Sequence, residues 1–263
     1  MDNFCICTVF HDRDKGYKGN TAAVIEISEN WSPEEMAAMA QEMQQPATTY
    51  LQATKPGHYK VWWFAPDEEI GLCGHGSLAA AAYLHQIKGE SKAVLHYADG
   101  FVKIGFDNAD YFLWIEPIEV IDHGKMPAGL EAALGQEVHD YFSTSNKDVV
   151  LLKSEQAIRE MKPDFKALAK LEPFGYTVTA PGDSVDFVSR TLVPKVQQLE
   201  DHATGSSHAI LTPFWSERLL KNEMEALQLS PRGGRFHCEM HMNQVLLKGK
   251  AQIWVQGQSK AKA

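Results

Sequence analysis

Two short segments hold the residue types that proton-transfer chemistry needs. Cys73-Gly74-His75-Gly76-Ser77-Leu78-Ala79-Ala80 sets a thiol, an imidazole and a hydroxyl around two glycines, ahead of an Ala-rich run. Asp201-His202-Ala203-Thr204-Gly205-Ser206-Ser207-His208-Ala209 places a carboxylate before a second Gly-Ser pair. Gly lets the backbone approach a ligand closely, Ser can cap, and the first free amides of a helix point outward at its positive end. One such start is an ordinary anion site. Two facing each other across a cleft would clamp a small carboxylate and stabilise the charge left when an α-proton departs. His75 reads as a general acid/base near neutral pH or as a donor that orients a carboxylate. Asp201 reads as a base or as a cap of the second turn, and Glu200 beside it as surface charge. Cys73 is a base if the helix end lowers its pKa, or a small buried hydrophobe.

Other chemistry-bearing residues carry less. Strand alternation would put His237, Glu239 and His241 on one face, which allows three metal ligands but equally describes a solvated strand face, and no metal-family motif accompanies it. No metal is therefore expected. Cys5 and Cys7 share a strand face and should be packed. Trp62, Trp63, Trp215 and Trp254 read as core. Lys15 to Asn20 lacks the spacing of a phosphate-binding loop, and no G-x-G-x-x-G is present, so nucleotide and organic cofactors are unsupported.

The elements that position these residues are legible in the pattern. Phe4–Phe10 and Thr21–Ile27 read as strands joined through Gly19-Asn20. Ser32-Pro33-Glu34-Glu35 starts a helix with Met36, Met39, Ala40 and Met43 facing the core. Thr48–Gln52 and Tyr59–Phe64 read as strands, Ser77–Gln86 as a buried helix, and Asp99-Gly100 as a hairpin turn before Phe101–Phe106. After a less regular stretch from Glu116 to Gly129 the same vocabulary returns. Val149–Leu152, Tyr176–Ala180 and Asp186–Leu192 are strands, followed by the Gly-Ser turn and a helix. Arg235–Met242, Val245–Leu247 and Gln252–Gln256 close the chain, with Gly249 expected to turn the last pair and Ser259 onward expected to fray. Pro66 lies ten residues before Gly76 and Pro194 eleven before Gly205, with those two glycines 129 apart. Both halves thus read strand, Pro, loop, Gly-Ser, helix, as a duplication would. The expected division is 1–118 and 119–263, leaving open whether the last strand packs on the first lobe.

Composition bounds the function classes. A chain of 263 residues buries a substantial core without disulfides, and 44% apolar with 22% charged residues is ordinary for a globular protein. The net charge of −9 repels phosphate backbones, so nucleic acid is not an expected partner. No apolar run approaches a membrane span, and no signal peptide is evident, which makes the cytoplasm the expected location. The four cysteines form no C-x-x-C pair and read as free thiols.

Gly19-Asn20-Thr21-Ala22-Ala23-Val24, Phe64-Ala65-Pro66 with Cys73 to Ala80, Glu200 to Ser207 and Ser230-Pro231-Arg232-Gly233-Gly234 together resemble the signatures of the PhzF family, in family order over nearly the whole chain. The resemblance implies an α+β fold like that of diaminopimelate epimerase: two pseudo-symmetric lobes, each a β-barrel-like roll around a central helix, usually in a homodimer. It implies an isomerase or epimerase that moves a proton next to the carboxylate or carbonyl of a small metabolite, with no cofactor. Carried over, His75 and Asp201 are the polar catalytic residues, with Cys73 a further candidate base. Gly74, Gly76, Ser77, Gly205, Ser206 and Asn20 bind substrate. The family's proton-shuttling Glu falls at Ala47, within Gln45-Pro46-Ala47-Thr48-Thr49. A methyl group exchanges no proton, so the alternative is a catalytically silent scaffold that binds a ligand or a protein.

Overall fold

The structure, a computed structural model, describes residues 2–28 and 30–259. Of the tail expected to fray, Ser259 ends a strand and the rest lies outside the described residues. The chain divides into two compact units, Met1–Ile115 with Leu246–Ala263, and Glu116–Val245.

In the first unit, β1 (Asp2–His11) pairs antiparallel with β2 (Asn20–Glu26). Helix α1 (Pro33–Met43) follows, started by Ser32. The Ser32 hydroxyl accepts from the Glu35 amide while the Glu35 carboxylate accepts from the Ser32 amide, a reciprocal cap. Its expected inner face is the observed one: Met36 and Ala40 are buried against Ile25, Tyr50 and Phe64, with Met39 and Met43 packed at the margin. Then come β3 (Thr48–Lys55), β4 (His58–Phe64), the two-residue β5 (Glu69–Ile70), helix α2 (Gly74–Lys88), β6 (Lys92–Tyr97), β7 (Gly100–Asp107) and β8 (Asp110–Ile115).

Strand pairing in this unit runs β1–β2–β3–β4–β6–β7–β8, parallel at β2–β3 and β4–β6 and antiparallel elsewhere. The last strand of the chain pairs with both β1 and β8 and closes the ring. Helix α2 runs through the middle, buried from Gly74 to Leu84. Four consecutive alanines, Ala79 to Ala82, let the surrounding strands approach it from all sides. This is the roll around a central helix that the resemblance implies.

The second unit contains β9 (Val120–Asp122), α3 (Leu130–Leu134), β10 (Asp140–Thr144), β11 (Asp148–Leu151), α4 (Glu155–Glu160), α5 (Phe165–Leu168), β12 (Tyr176–Pro181), β13 (Phe187–Leu192), β14 (Glu200–Asp201), α6 (Gly205–Leu219), β15 (Glu223–Gln228) and β16 (Gly234–His241). Its pairing repeats that of the first unit: β10–β11 antiparallel, β11–β12 parallel, β12–β13 antiparallel, β13–β15 parallel, β15–β16 antiparallel. Even the two-residue strands correspond, since β5 pairs with the end of β4 and β14 with the end of β13. Helix α6 keeps its path through Pro213, whose missing amide would orphan the Ala209 carbonyl; the Ile118 amide takes that carbonyl at 3.1 Å.

Three expectations are corrected. The repeat aligns Gly74, not Gly76, with Gly205: each opens its helix, and they stand 205 − 74 = 131 positions apart. Gly76 instead corresponds to Ser207, because its absent side chain makes room. A Cβ there would lie 2.7 Å from both Thr49 Oγ1 and Trp63 Cδ1. Gly249 turns nothing. β17 (Gln244–Ser259) is one continuous strand, and a Cβ at Gly249 would lie 2.6 Å from the ring of Phe10, a bulged residue of β1 with φ 55°. Glycine there signals close approach rather than a turn. Trp254 is not core: it is half exposed, under the Arg13 guanidinium at 4.2 Å, with its indole N–H donating to Thr8 Oγ1.

Candidate functional site

The first helix start is built around sulfur. Cys73 is the N-cap of α2, and its Sγ accepts from the Gly76 amide at 3.3 Å. The His75 imidazole lies against the same sulfur, Nδ1 at 3.4 Å and Nε2 at 3.8 Å. Both side chains are buried. The sulfur thus meets a backbone N–H at the positive end of a helix and an imidazole at the same time. Ser77 is differently employed. Its hydroxyl donates to the Cys73 carbonyl at 2.7 Å, and its amide bonds the same oxygen. Thr49, from β3, donates to the Gly76 carbonyl at 3.2 Å and ties that strand to the helix start.

Ala47 stands just before β3, wholly buried, with its carbonyl accepting from the Ala23 amide at 2.9 Å. Asn20 opens β2, also wholly buried, and its Oδ1 accepts from the Thr21 amide at 3.0 Å.

The second helix start hangs from three buried anchors, Arg190, Gln228 and Ser230, of which only Ser230 lies in a motif that the sequence pattern singles out. Arg190 on β13 grips Glu200 with two parallel bonds of 2.8 Å and donates a third to the Met161 carbonyl. Glu200 is thus a buried ion-pair partner, not the surface charge expected, because β14 turns its side chain inward beside β13. Asp201, next in β14, is half-buried and pairs in register with Thr191. Gln228, at the end of β15 and wholly buried, bonds Asp201 and Thr204. Ser230 donates to the His202 carbonyl at 2.7 Å and accepts from the Gly233 amide, so the Ser230–Gly234 turn braces the same loop.

Within α6, Ser207 accepts from Thr191 Oγ1 at 2.9 Å and lies 3.0 Å from Thr177 Oγ1, which docks the helix on its strands. Ser206 faces a cation: Lys147, only 6% exposed, donates to its hydroxyl at 3.0 Å and also to Asn146 Oδ1. Burial lowers the pKa of His202 against the opposing pull of Asp201 and Glu200. Burial pushes His208 down to about 4. At neutral pH His208 is therefore uncharged, with Nδ1 donating to the Thr204 carbonyl at 2.8 Å and its ring stacked on Phe236.

The His237 face is a hydrogen-bonded network. His237 meets Glu225 at 2.8 Å through Nδ1 and Glu239 at 3.0 Å through Nε2, and His241 meets Glu239 at 2.7 Å. Among the described residues no group of three or more His, Cys, Asp or Glu side chains is disposed to hold a metal ion. Cys5 and Cys7 are packed as expected, and all four cysteines are free. No helix among the described residues is long and apolar enough to cross a membrane.

Comparison with known proteins places this architecture. An uncharacterized isomerase of Pseudomonas aeruginosa is 33% identical over 253 residues, which span 94% of this chain and 97% of that one. The crystal structure of a PhzF family protein from Enterococcus faecalis superposes with a TM-score of 0.90 at 33% identity, covering 99% of each chain. A probable proline racemase from Agrobacterium radiobacter shares the fold, with a TM-score of 0.67 at 9% identity over 98% of this chain and 93% of its own. The family model described as phenazine biosynthesis-like protein (PhzC-PhzF) matches residues 9–259. With its rolls around central helices, its paired glycine-opened helix starts and that nearly full-length match, the chain belongs to the phenazine biosynthesis-like family.

Proposed function

We propose that this chain is an isomerase that moves a proton next to the carboxylate or carbonyl of a small metabolite, without metal or organic cofactor. The observation that carries the reading is the Cys73–His75 pair at the start of α2, where Sγ accepts a backbone N–H and meets an imidazole at 3.4 Å. It supplies an acid/base in a family member whose shuttle position holds Ala47. His75 and Asp201 are the polar residues of the reaction, and Cys73 is the proton-accepting atom. The free amides at the two helix starts, around Gly74, Gly205 and Ser206, meet substrate oxygens, as helix starts do for anions; the Gly76 and Ser77 amides are engaged by Cys73, so these two residues shape the turn, and Asn20 belongs to the same binding set. The protein relatives named isomerase support the reaction class. A homodimer and a cytoplasmic location remain part of this proposal; sedimentation equilibrium checks the first.

The test is solvent deuterium uptake into small amino, hydroxy and cyclic carboxylates, read by mass spectrometry, with wild type beside Asp201→Asn. Uptake that falls by about 10²–10⁴-fold in the variant, at an unchanged melting temperature, is the expected result. The second reading, a silent scaffold, is favoured by the methyl group at Ala47. It predicts no uptake, while some carboxylate still raises the melting temperature.

A further inference from the structure

The two helix starts share a backbone conformation but not a cap. Cys73 has φ −119° and ψ 105°, Thr204 has φ −115° and ψ 107°, and both are N-caps of fifteen-residue helices. In that conformation a Thr hydroxyl ordinarily accepts from an amide of the first turn. Cys73 does so through sulfur, whereas the Thr204 side chain caps nothing.

The Thr204 hydroxyl is instead engaged by Gln228. Its Nε2 donates to Thr204 Oγ1 at 3.1 Å and to the Asp201 carbonyl at 2.5 Å, and its Oε1 accepts from the Thr204 amide at 2.8 Å. Both amide protons and the amide oxygen are thereby engaged on one four-residue loop. Gln228 is 0% exposed, and so is Ser207, whose amide belongs to the uncapped first turn. A buried, uncapped helix start is unfavourable unless something else receives its amides.

We propose that Gln228 is a positioning residue of the isomerase site. It holds the Thr204 hydroxyl away from the first turn of α6 and fixes the main chain of Asp201, so the Ser206 and Ser207 amides stay open to a substrate oxygen. The substrate oxygen rests on the isomerase reading above; the withheld cap does not.

Amide hydrogen exchange of Ser206 and Ser207, followed by NMR in the free protein, tests the assignment. Gln228→Met releases the hydroxyl, which then caps, and the two amides are expected to exchange about fivefold to tenfold more slowly. Simple destabilisation would speed them. Thr204→Val, close in shape and lacking only the hydroxyl, is expected to leave both rates within about twofold, since the hydroxyl caps nothing in the wild type. In the double variant the slowing is expected to vanish. Thr204→Val alone decides the matter where Gln228→Met does not fold. Faster exchange in Thr204→Val would show that the hydroxyl is a cap after all, and unchanged or faster exchange in folded Gln228→Met would equally overturn the assignment. A wild type that takes up no deuterium into the carboxylate panel overturns the isomerase reading instead, and leaves the exchange result to stand on its own. Where uptake is seen, Gln228→Met is expected to lower it by about tenfold or more, and adding Thr204→Val to restore part of it.

Discussion

Cys73 does two jobs that one substitution can separate. As N-cap it accepts the Gly76 amide, and as a thiol beside His75 it is the proposed proton acceptor. Serine caps a helix at least as well as cysteine but does not ionise near neutral pH. Cys73→Ser is therefore expected to keep the melting temperature within a few degrees while deuterium uptake falls by about 10²-fold or more. Parallel loss of both would reduce Cys73 to a structural cap. The residue types at this turn were readable from the chain, but the contact was not. Whether a cysteine two positions before a histidine touches it depends on the helix beginning at Gly74, which only the fold determines. Lys147 and Gln228 lay beyond reach for a plainer reason: they stand 59 and 24 positions from the residues they hold, in segments with no chemical signature.

Two-residue strands are the elements that local sequence cannot announce, and β14 shows why it matters. Glu200 and Asp201 carry no β pattern; their strand exists because Arg190 on β13 takes Glu200 in a two-bond grip. Removing one partner of such a pair leaves the other charge buried, which costs about 3–5 kcal/mol. Arg190→Met is expected to lose stability on that scale in urea unfolding, and Arg190→Met/Glu200→Leu to regain much of it. A double variant as unstable as the single one would mean that Arg190 acts mainly through its bond to the Met161 carbonyl. The long elements were legible because their signals are local. Ser32 to Glu35 spells a cap, Met36 and Ala40 a helix face, and Asp99-Gly100 a hairpin. Gly249 was misread because a glycine marks a turn or a close approach with the same letter, and the choice belongs to Phe10 across the sheet.

For the molecule as a whole, the His237 network predicts how stability follows pH. The hydrogen bond that His237 donates to Glu225 raises its pKa above the ordinary 6.5 despite burial, with Glu239 adding to the effect. Burial pushes Glu225 up, yet His237 and Arg235 together hold it below its ordinary 4.5. A raised histidine contributes stability that is complete below 6.5 and lost as pH climbs through the folded value; a lowered carboxylate contributes above 4.5 and is lost as pH falls. The pair is thus at full strength between those limits. From about pH 6 to pH 8.5, wild type is expected to lose more unfolding free energy in urea than His237→Gln does. Equal losses would show that His237 does not carry that dependence. Here the sequence offered only three residues on one strand face; Glu225 arrives from the neighbouring strand through the register that sets it opposite His237.

By itself the sequence determined the family and the repeat of strand and glycine-opened helix, and it named the residues on which the proposed reaction draws. Those properties are carried by local patterns and short motifs, which survive being read one segment at a time. Tertiary structure alone decided the register of the repeat, the thiol–imidazole contact, the inward turn of Glu200 and the hold of Gln228 on Thr204. Each depends on which strand lies beside which. A hydrogen bond selects its partner by distance and direction in space, and partners here stand far apart in the chain, 255 positions in the bond from Gln258 to Asn3.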